Sequence, residues 1–362
     1  MLRVLFYLIC FSIGIPHFIF GQCFSVYRDF NNFVHVFDGE QTRFLESQPV
    51  TQYQVGKNLV AYIGPNSRTK LFYGGKSYTI ADQPVQFYVT DFNFVFRNFN
   101  QIKILRKNDF NILEGFFRPD EDSLWVSDSL VVWTNFRNEV QVYYQDSFYM
   151  LDLFGSSRLK ISDNILAYID RNGNFNAFYH GQFYNLENFE PTNFLVDRDL
   201  IVYVDQIGNF KFFCEGKIIE TNYMWMPRYY VGEQFFCWIN NLNELTVFYR
   251  GEFTTLLRDV PKKLWVKENL IAFVDKGANF RAFYKGKEYW LERYQPETVA
   301  IDNDILVYTD LYSRLQGFYF GEQVEVTDQI VKKFTLQNEA VTYSLQPYQT
   351  KIWCKKKTYT FE

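Results

Sequence analysis

Two kinds of apolar pattern alternate along the chain. One is a continuous run of about five apolar residues, such as Leu270-Ile271-Ala272-Phe273-Val274. A run with no polar side predicts a strand buried on both faces. The other mixes apolar and polar positions, as in Phe280-Arg281-Ala282-Phe283-Tyr284 and Glu288-Tyr289-Trp290-Leu291, and predicts strands with one covered face. A turn rich in Asp, Gly and Asn follows each buried run, for example Asp170-Arg171-Asn172-Gly173-Asn174. The pairs Lys285-Gly286, Arg250-Gly251 and Glu215-Gly216 then give the two-residue hairpin signal, because such a turn needs positive φ. A short strand after a proline, Lys263–Lys267, precedes the run. Each unit therefore reads as four antiparallel strands, a to d in chain order.

The unit repeats about ten times. Its hairpin glycine recurs at Gly39, Gly75, Gly181, Gly216, Gly251, Gly286 and Gly321, with Asp109, Asp146 and Lys356 filling the remaining slots. The spacings are 36, 34 and 37, then 35 throughout. Pro49, Pro84, Pro119, Pro191, Pro227, Pro261 and Pro296 mark the same period independently. Tandem four-stranded units at one fixed period are the signature of a repeat architecture. The chain resembles β-propeller repeat proteins in general, without the named blade motifs of a particular family. The resemblance implies an all-β fold, a single ring first; two fused smaller propellers or an open β-array satisfy the same pattern. The first repeat begins directly at strand b, near Cys23, while the last has all four strands. That ordering provides no spare terminal strand to close a circle.

Composition agrees. Aromatic residues reach 20%, against nine alanines, which suits pleated half-buried surfaces and not helices. The balance of 37 Lys+Arg against 41 Asp+Glu has no basic surplus to neutralise phosphates, so nucleic acid is not an expected partner.

Residues 1–21 read as a secretory leader, with Arg3, the apolar run Val4–Phe11 and the small Gly21 near its end. Its ending is similar to leaders of Gram-negative bacteria. The mature propeller domain is then expected over 22–362, exported to the periplasm, the outer-membrane surface or the medium. Cys23 also fits lipid attachment, the one circumstance in which membrane contact is expected. Cys214, Cys237 and Cys354 lie inside apolar strand patterns and read as buried thiols.

No catalytic or cofactor motif appears, and no cofactor or metal is expected. His35 and His180 are the histidines beyond the leader, and His180 occupies a hairpin turn. Asp170, Asp205, Asp275 and Asp310 recur where Asn135 and Asn240 also stand, which suits a turn better than an ion site. Glu114, Asp120, Glu121 and Asp122 are the carboxylates that a glycoside-hydrolysing alternative would use. The loops from strand d to the next strand a carry large aromatics and arginines, the residue types that dominate binding hot spots. Phe116, Phe117, Arg118, Tyr223, Trp225, Arg228, Tyr229 and Tyr294 are the candidate ligand contacts. The expected function is a binding scaffold for an extracellular or periplasmic protein, peptide or glycan. A carbohydrate-active enzyme and a purely architectural surface component are the alternatives.

Overall fold

A computed structural model describes residues 23–361 apart from 30, 107–108, 118–122, 155–157, 222–227, 234 and 346–348, and apart from the side chain of Phe154. The described chain is all strand and turn, arranged as one β-propeller of ten blades. The first blade has three strands, Ser25–Arg28, Val34–Phe37 and Thr42–Phe44; the other nine have four each, in simple a-b-c-d order. Their inner strands are Gln52–Val55, Phe87–Val89, Leu124–Val126, Leu159–Ile161, Asn193–Asp197, Tyr229–Val231, Lys263–Lys267, Val299–Asp302 and Lys333–Gln337.

The eighth blade shows why the pattern folds this way. Strand b, Leu270–Val274, is buried along its whole length. Its even residues Leu270, Ala272 and Val274 pack on Leu306, Tyr308 and Phe318 of the ninth blade. Ile271 and Phe273 face the other way, onto Phe235, Cys237 and Leu245 of the seventh. The two sides of a strand thus serve two different blade interfaces. This accounts for the absence of polar residues in the run. The c–d hairpin closes with Lys285 at φ 47° and Gly286 at φ 84°, the paired left-handed residues of a type I′ turn.

Polar ties repeat with the period as well. The hydroxyls of Tyr62, Tyr203 and Tyr308 donate to Glu46, Glu187 and Glu292 of the preceding blade at 3.0, 3.1 and 3.0 Å. Trp133 Nε1 makes the equivalent bond to Glu114 at 3.3 Å.

Among the described residues, no blade combines strands from both ends of the chain. A disulfide joins Cys23 to Cys354, with Cα atoms 6.0 Å apart. Around it Tyr27, Phe37, Ala340 and Ile352 form a core cluster between the first and last blades. Ser25 Oγ and Thr342 Oγ1 lie 2.9 Å apart, and Asn338 of the tenth blade donates to Gly56 O of the second at 3.0 Å. A cross-link over so long a loop is worth up to about 5 kcal/mol through the unfolded chain. Three sequence expectations are corrected here. Cys354 is a disulfide partner and not a buried thiol, because its mate lies 331 residues away and is adjacent only in the closed ring. For the same reason the Cys23 sulfur is occupied and is not a free attachment point for lipid. Asp109 does not occupy the hairpin slot: it is the first residue of its strand, paired with Arg106. The buried-thiol reading describes Cys237; Cys214 is half-buried.

Candidate functional site

The meander of each blade sends its a–b and c–d turns to one face of the ring and its b–c turns and d–a loops to the other. The two faces are built from different chemistry.

On the first face, the a–b turns crowd around the mouth of the channel. From the third blade to the tenth, each carries at least one carboxylate in the three positions before strand b: Asp91, Asp128, Asp163, Asp197 with Asp199, Glu233, Glu268, Asp302 with Asp304, and Glu339. Lys57, Arg198 and Lys267 are the cations in these positions. The turns bond one another around the ring. Asp91 N–H donates to Asp128 at 3.1 Å, Ser127 and Ser129 donate to Asp163 O at 2.9 and 3.1 Å, and Asn164 donates to Asp199 at 2.9 Å. Asn269 donates to Glu233 at 2.8 Å, and Lys267 pairs with Asp302 at 2.9 Å. Arg198 reaches across the seventh blade to Glu268 at 2.9 Å.

Burial raises five of these acids. Burial is the largest cause of the upward shift of Asp163, to about 6; Asp128, Asp199 and Glu268 add to it while Arg198 opposes it. Burial also lifts Asp91, Asp197, Asp199 and Glu339. Asp91 feels Glu268 and Asp302 from the far side of the ring, so the turns converge on a single negative mouth. Such a mouth attracts cationic groups by its summed field. Among the described residues, no three His, Cys, Asp or Glu side chains are grouped to hold a metal ion.

On the second face, the b–c turns of the fourth to ninth blades are each organised by their first residue. The Asp275 carboxylate accepts from Asn279 N at 2.9 Å, from Asn279 Nδ2 at 2.8 Å and from Arg281 at 2.7 Å. Asp170, Asp205 and Asp310 accept the equivalent backbone bonds, and Asn135 and Asn240 do so with an amide oxygen. Burial pushes the Asp275 carboxyl up, but the hydrogen bonds and the Arg281 charge outweigh it and hold it below its usual range; the other three aspartates are lowered likewise. These residues are turn organisers, as the repeated Asp/Asn alternation implied.

Several turn and loop tips on this face are apolar and exposed. Phe99, Phe136, Ile207, Leu242, Leu311 and Tyr312 project from b–c turns, and Phe116, Phe189, Val260 and Ile330 from d–a loops.

Comparison with known proteins matches the model of the 10-bladed beta propeller domain to residues 19–359. The chain belongs to that family. The comparison with curated proteins found no match. Among solved structures, the ten-bladed propeller is similar to the computationally designed Ika8 protein at 15% identity and TM-score 0.33, over 84% of this chain and 96% of that one. It is also similar to the tricorn protease (9% identity, TM-score 0.29, 94% of this chain and 46% of that one). A third is PorZ of Porphyromonas gingivalis, a surface component of the type-IX secretion system (8% identity, TM-score 0.28, 92% of this chain and 57% of that one).

The ten-bladed propeller redistributes the residues singled out from sequence. Phe116 is 72% exposed on the second face, but its neighbour Phe117 is 1% exposed, under the Arg97 guanidinium at 4.6 Å. Phe117 is a core residue of the interface between the third and fourth blades and leaves the candidate set. Alternation along the chain turns one ring of the doublet inward. Arg228 is exposed and rests on the Tyr230 ring at 5.4 Å. Tyr229 packs half-buried against the cluster of the sixth and seventh blades. Tyr294 is half-buried; burial and the nearby Glu292 and Asp310 push its hydroxyl up to about 12. Arg118, Tyr223 and Trp225 lie outside the described residues, as do Asp120, Glu121 and Asp122. The candidates stand at three separate blade junctions. Glu114 is taken up by Trp133 Nε1 and by the backbone N–H groups of Gly115 and Phe116. It caps a loop and is not poised as a catalytic acid. His180 is exposed on its turn, with Nδ1 3.1 Å from the Tyr144 hydroxyl.

Sequence reasoning missed both the acidic mouth and the apolar tips. An acid within three residues before every buried run from the third blade onward was the available signal for the first.

Proposed function

We propose that this propeller is an exported binding scaffold that engages a protein partner through the face carrying the b–c turns and d–a loops. The apolar tips on that face carry the reading. Large apolar side chains exposed together mark interaction surfaces. Tips that mix Ile and Leu with Phe suit a protein surface better than a glycan, which needs flat rings to stack on. The hydrogen-bonded turns beneath hold these tips in place before binding, which lowers the entropic cost of association. Export rests on the leader over residues 1–21.

The test compares the chain from Gln22 onward with a variant carrying Phe136→Ser, Ile207→Ser, Leu242→Ser and Leu311→Ser, against panels of exported proteins and of glycans. The expected result is saturable binding to a protein, weakened at least about tenfold in a variant that stays folded. Equal binding by both proteins, or binding to glycans alone, overturns it.

A further inference from the structure

The outer strands repeat a packing that the third blade breaks. The third residue of strand d lies opposite the third of strand c, as Tyr184 lies opposite Ala177. Its ring packs on the next blade: Tyr149 on Phe178 at 4.9 Å, Tyr184 on Phe213 at 5.0 Å and Tyr289 on Phe318 at 4.9 Å between centroids. A second tyrosine, ending strand c of the same blade, meets the same rings: Tyr144, Tyr179 and Tyr284 stand 6.0, 6.0 and 5.8 Å from Phe178, Phe213 and Phe318. The hairpin glycine of the next blade closes this space. A Cβ on Gly181, Gly216 or Gly321 would stand 3.2, 3.3 or 3.5 Å from the hydroxyl of Tyr149, Tyr184 or Tyr289.

In the third blade, strand d is Asp109–Glu114 and its third residue is Asn111, opposite Ile104. Strand c ends at Arg106, the ring on the fourth blade is Tyr143, and the hairpin position there is Asp146, at φ 62°. These four positions enclose two tyrosine rings at three other junctions and none here. A groove of about 780 Å³ opens among them on the outer rim, lined also by Asp109 and Phe148. It lies beside the c–d hairpins, away from the apolar tips of the second face. Three of its side chains hold one another. The Tyr143 hydroxyl donates to Asp146 at 2.6 Å, and Arg106 pairs with Asp146 at 3.4 Å and lies over the Tyr143 ring at 5.2 Å. Arg106 also donates to Asn93 at 3.0 Å. The Phe148 ring, 56% exposed, is then the apolar wall, and the exposed Asp109 carries charge at the rim.

We propose that this groove binds an aromatic side chain presented by a segment of a partner protein, with a lysine or arginine beside it. The other junctions define the ring: a tyrosine fills the same space against the same strand position of the next blade. Edge-to-face contact with Tyr143 and Phe148 would reward a ring beyond the area it buries. Charge complementarity defines the neighbour, since Asp109 and Asp146 line the groove against the single cation Arg106. The volume is that of a site for a whole ligand and exceeds one ring, and the groove is open along the rim, so the ring arrives on a chain with flanking residues. The site is separate from the second face and does not depend on the reading of that face.

The probe is a blocked, fluorescently labelled peptide Gly-Lys-Tyr-Lys-Gly, titrated into the chain from Gln22 onward. Saturable binding with Kd below about 1 mM is expected. Replacing the peptide tyrosine by alanine is expected to weaken binding at least about tenfold, and replacing its lysines by glutamate about threefold or more. Asn111→Phe supplies the missing ring from the protein itself. It is expected to weaken binding at least about tenfold while melting no lower than the parent, because it fills space without displacing a neighbour. Phe148→Ser, at an exposed wall, is expected to weaken binding as well and serves if Asn111→Phe fails to fold. No saturable binding up to about 1 mM, equal binding of the alanine peptide, or full binding by the folded groove variants overturns the proposal. Free tyramine binding as tightly as the peptide would assign the groove to a small amine and overturn the partner-segment reading. The four-serine variant of the second face is expected to bind the peptide as the parent does; loss of binding there would place the peptide on that face and overturn this inference alone.

Discussion

The two faces of the ring use the same acidic residue type to opposite ends. At the b–c turns, Asp170, Asp205, Asp275 and Asp310 each receive backbone and side-chain donors and sit below their usual pKa range. At the channel mouth, burial holds Asp91, Asp163, Asp197 and Asp199 above it, and neighbouring carboxylates add to the shift of Asp91 and Asp163. A carboxylate surrounded by donors stabilises the fold when charged; one crowded among its like costs the fold when charged. The first set is architecture. The second is a charge held under tension by the rest of the ring.

The largest effect is expected from the first set. Asp275→Ala strands the donors of Asn279 and Arg281, at a cost of about 2–3 kcal/mol in urea unfolding. Asp170→Asn is expected to cost much less, since Asn135 and Asn240 already fill the slot and keep its acceptor. A cost for Asp170→Asn equal to that for Asp275→Ala would erase the distinction between acceptor and charge.

Asp163→Asn tests the mouth, with a smaller effect of opposite sign. The folded carboxyl titrates near 6 and the unfolded one near 3.8, so between these values the folded chain binds more protons than the unfolded chain. Stability is then lost as pH rises through that window. The variant is expected to melt higher than the parent above pH 6 and to converge with it near pH 4. The aspartates of the b–c turns predict the reverse, with their stability present above about pH 4 and lost on acidification. A melting difference for Asp163→Asn that is independent of pH would refute the crowding argument.

The smallest effect belongs to the tips. Ile207→Ser removes a side chain that is 78% exposed and is expected to move stability by less than about 0.5 kcal/mol. A larger loss would mean the tip is structural and would weaken its reading as a contact.

Much of the fold was legible in sequence because one physical rule repeats. A strand packed between two blades admits no polar residue, and a tight hairpin asks for glycine. These rules put strands b and c of the eighth blade at their observed residues. The rules fail where the ring itself decides. The pairing of Cys23 with Cys354 depends on closure, which no local pattern encodes. Phe116 and Phe117 are identical residues side by side, separated only by which way the backbone turns them. The mouth acids shift among three positions from blade to blade, so they form no fixed motif, and only convergence in space makes them a group.

The clasp between the first and last blades also sets how the molecule bears force. Cys23 and Cys354 lie near the two ends of the described chain. Tension applied at those ends passes through one covalent bond and bypasses the blades between. The sequence separation of 331 that it spans represents about 1,100 Å of contour length that stays hidden from the load. With the bond intact, the propeller behaves under tension as a short rigid link. With it reduced, the same pull would reach the first and tenth blades directly and peel the ring from its seam.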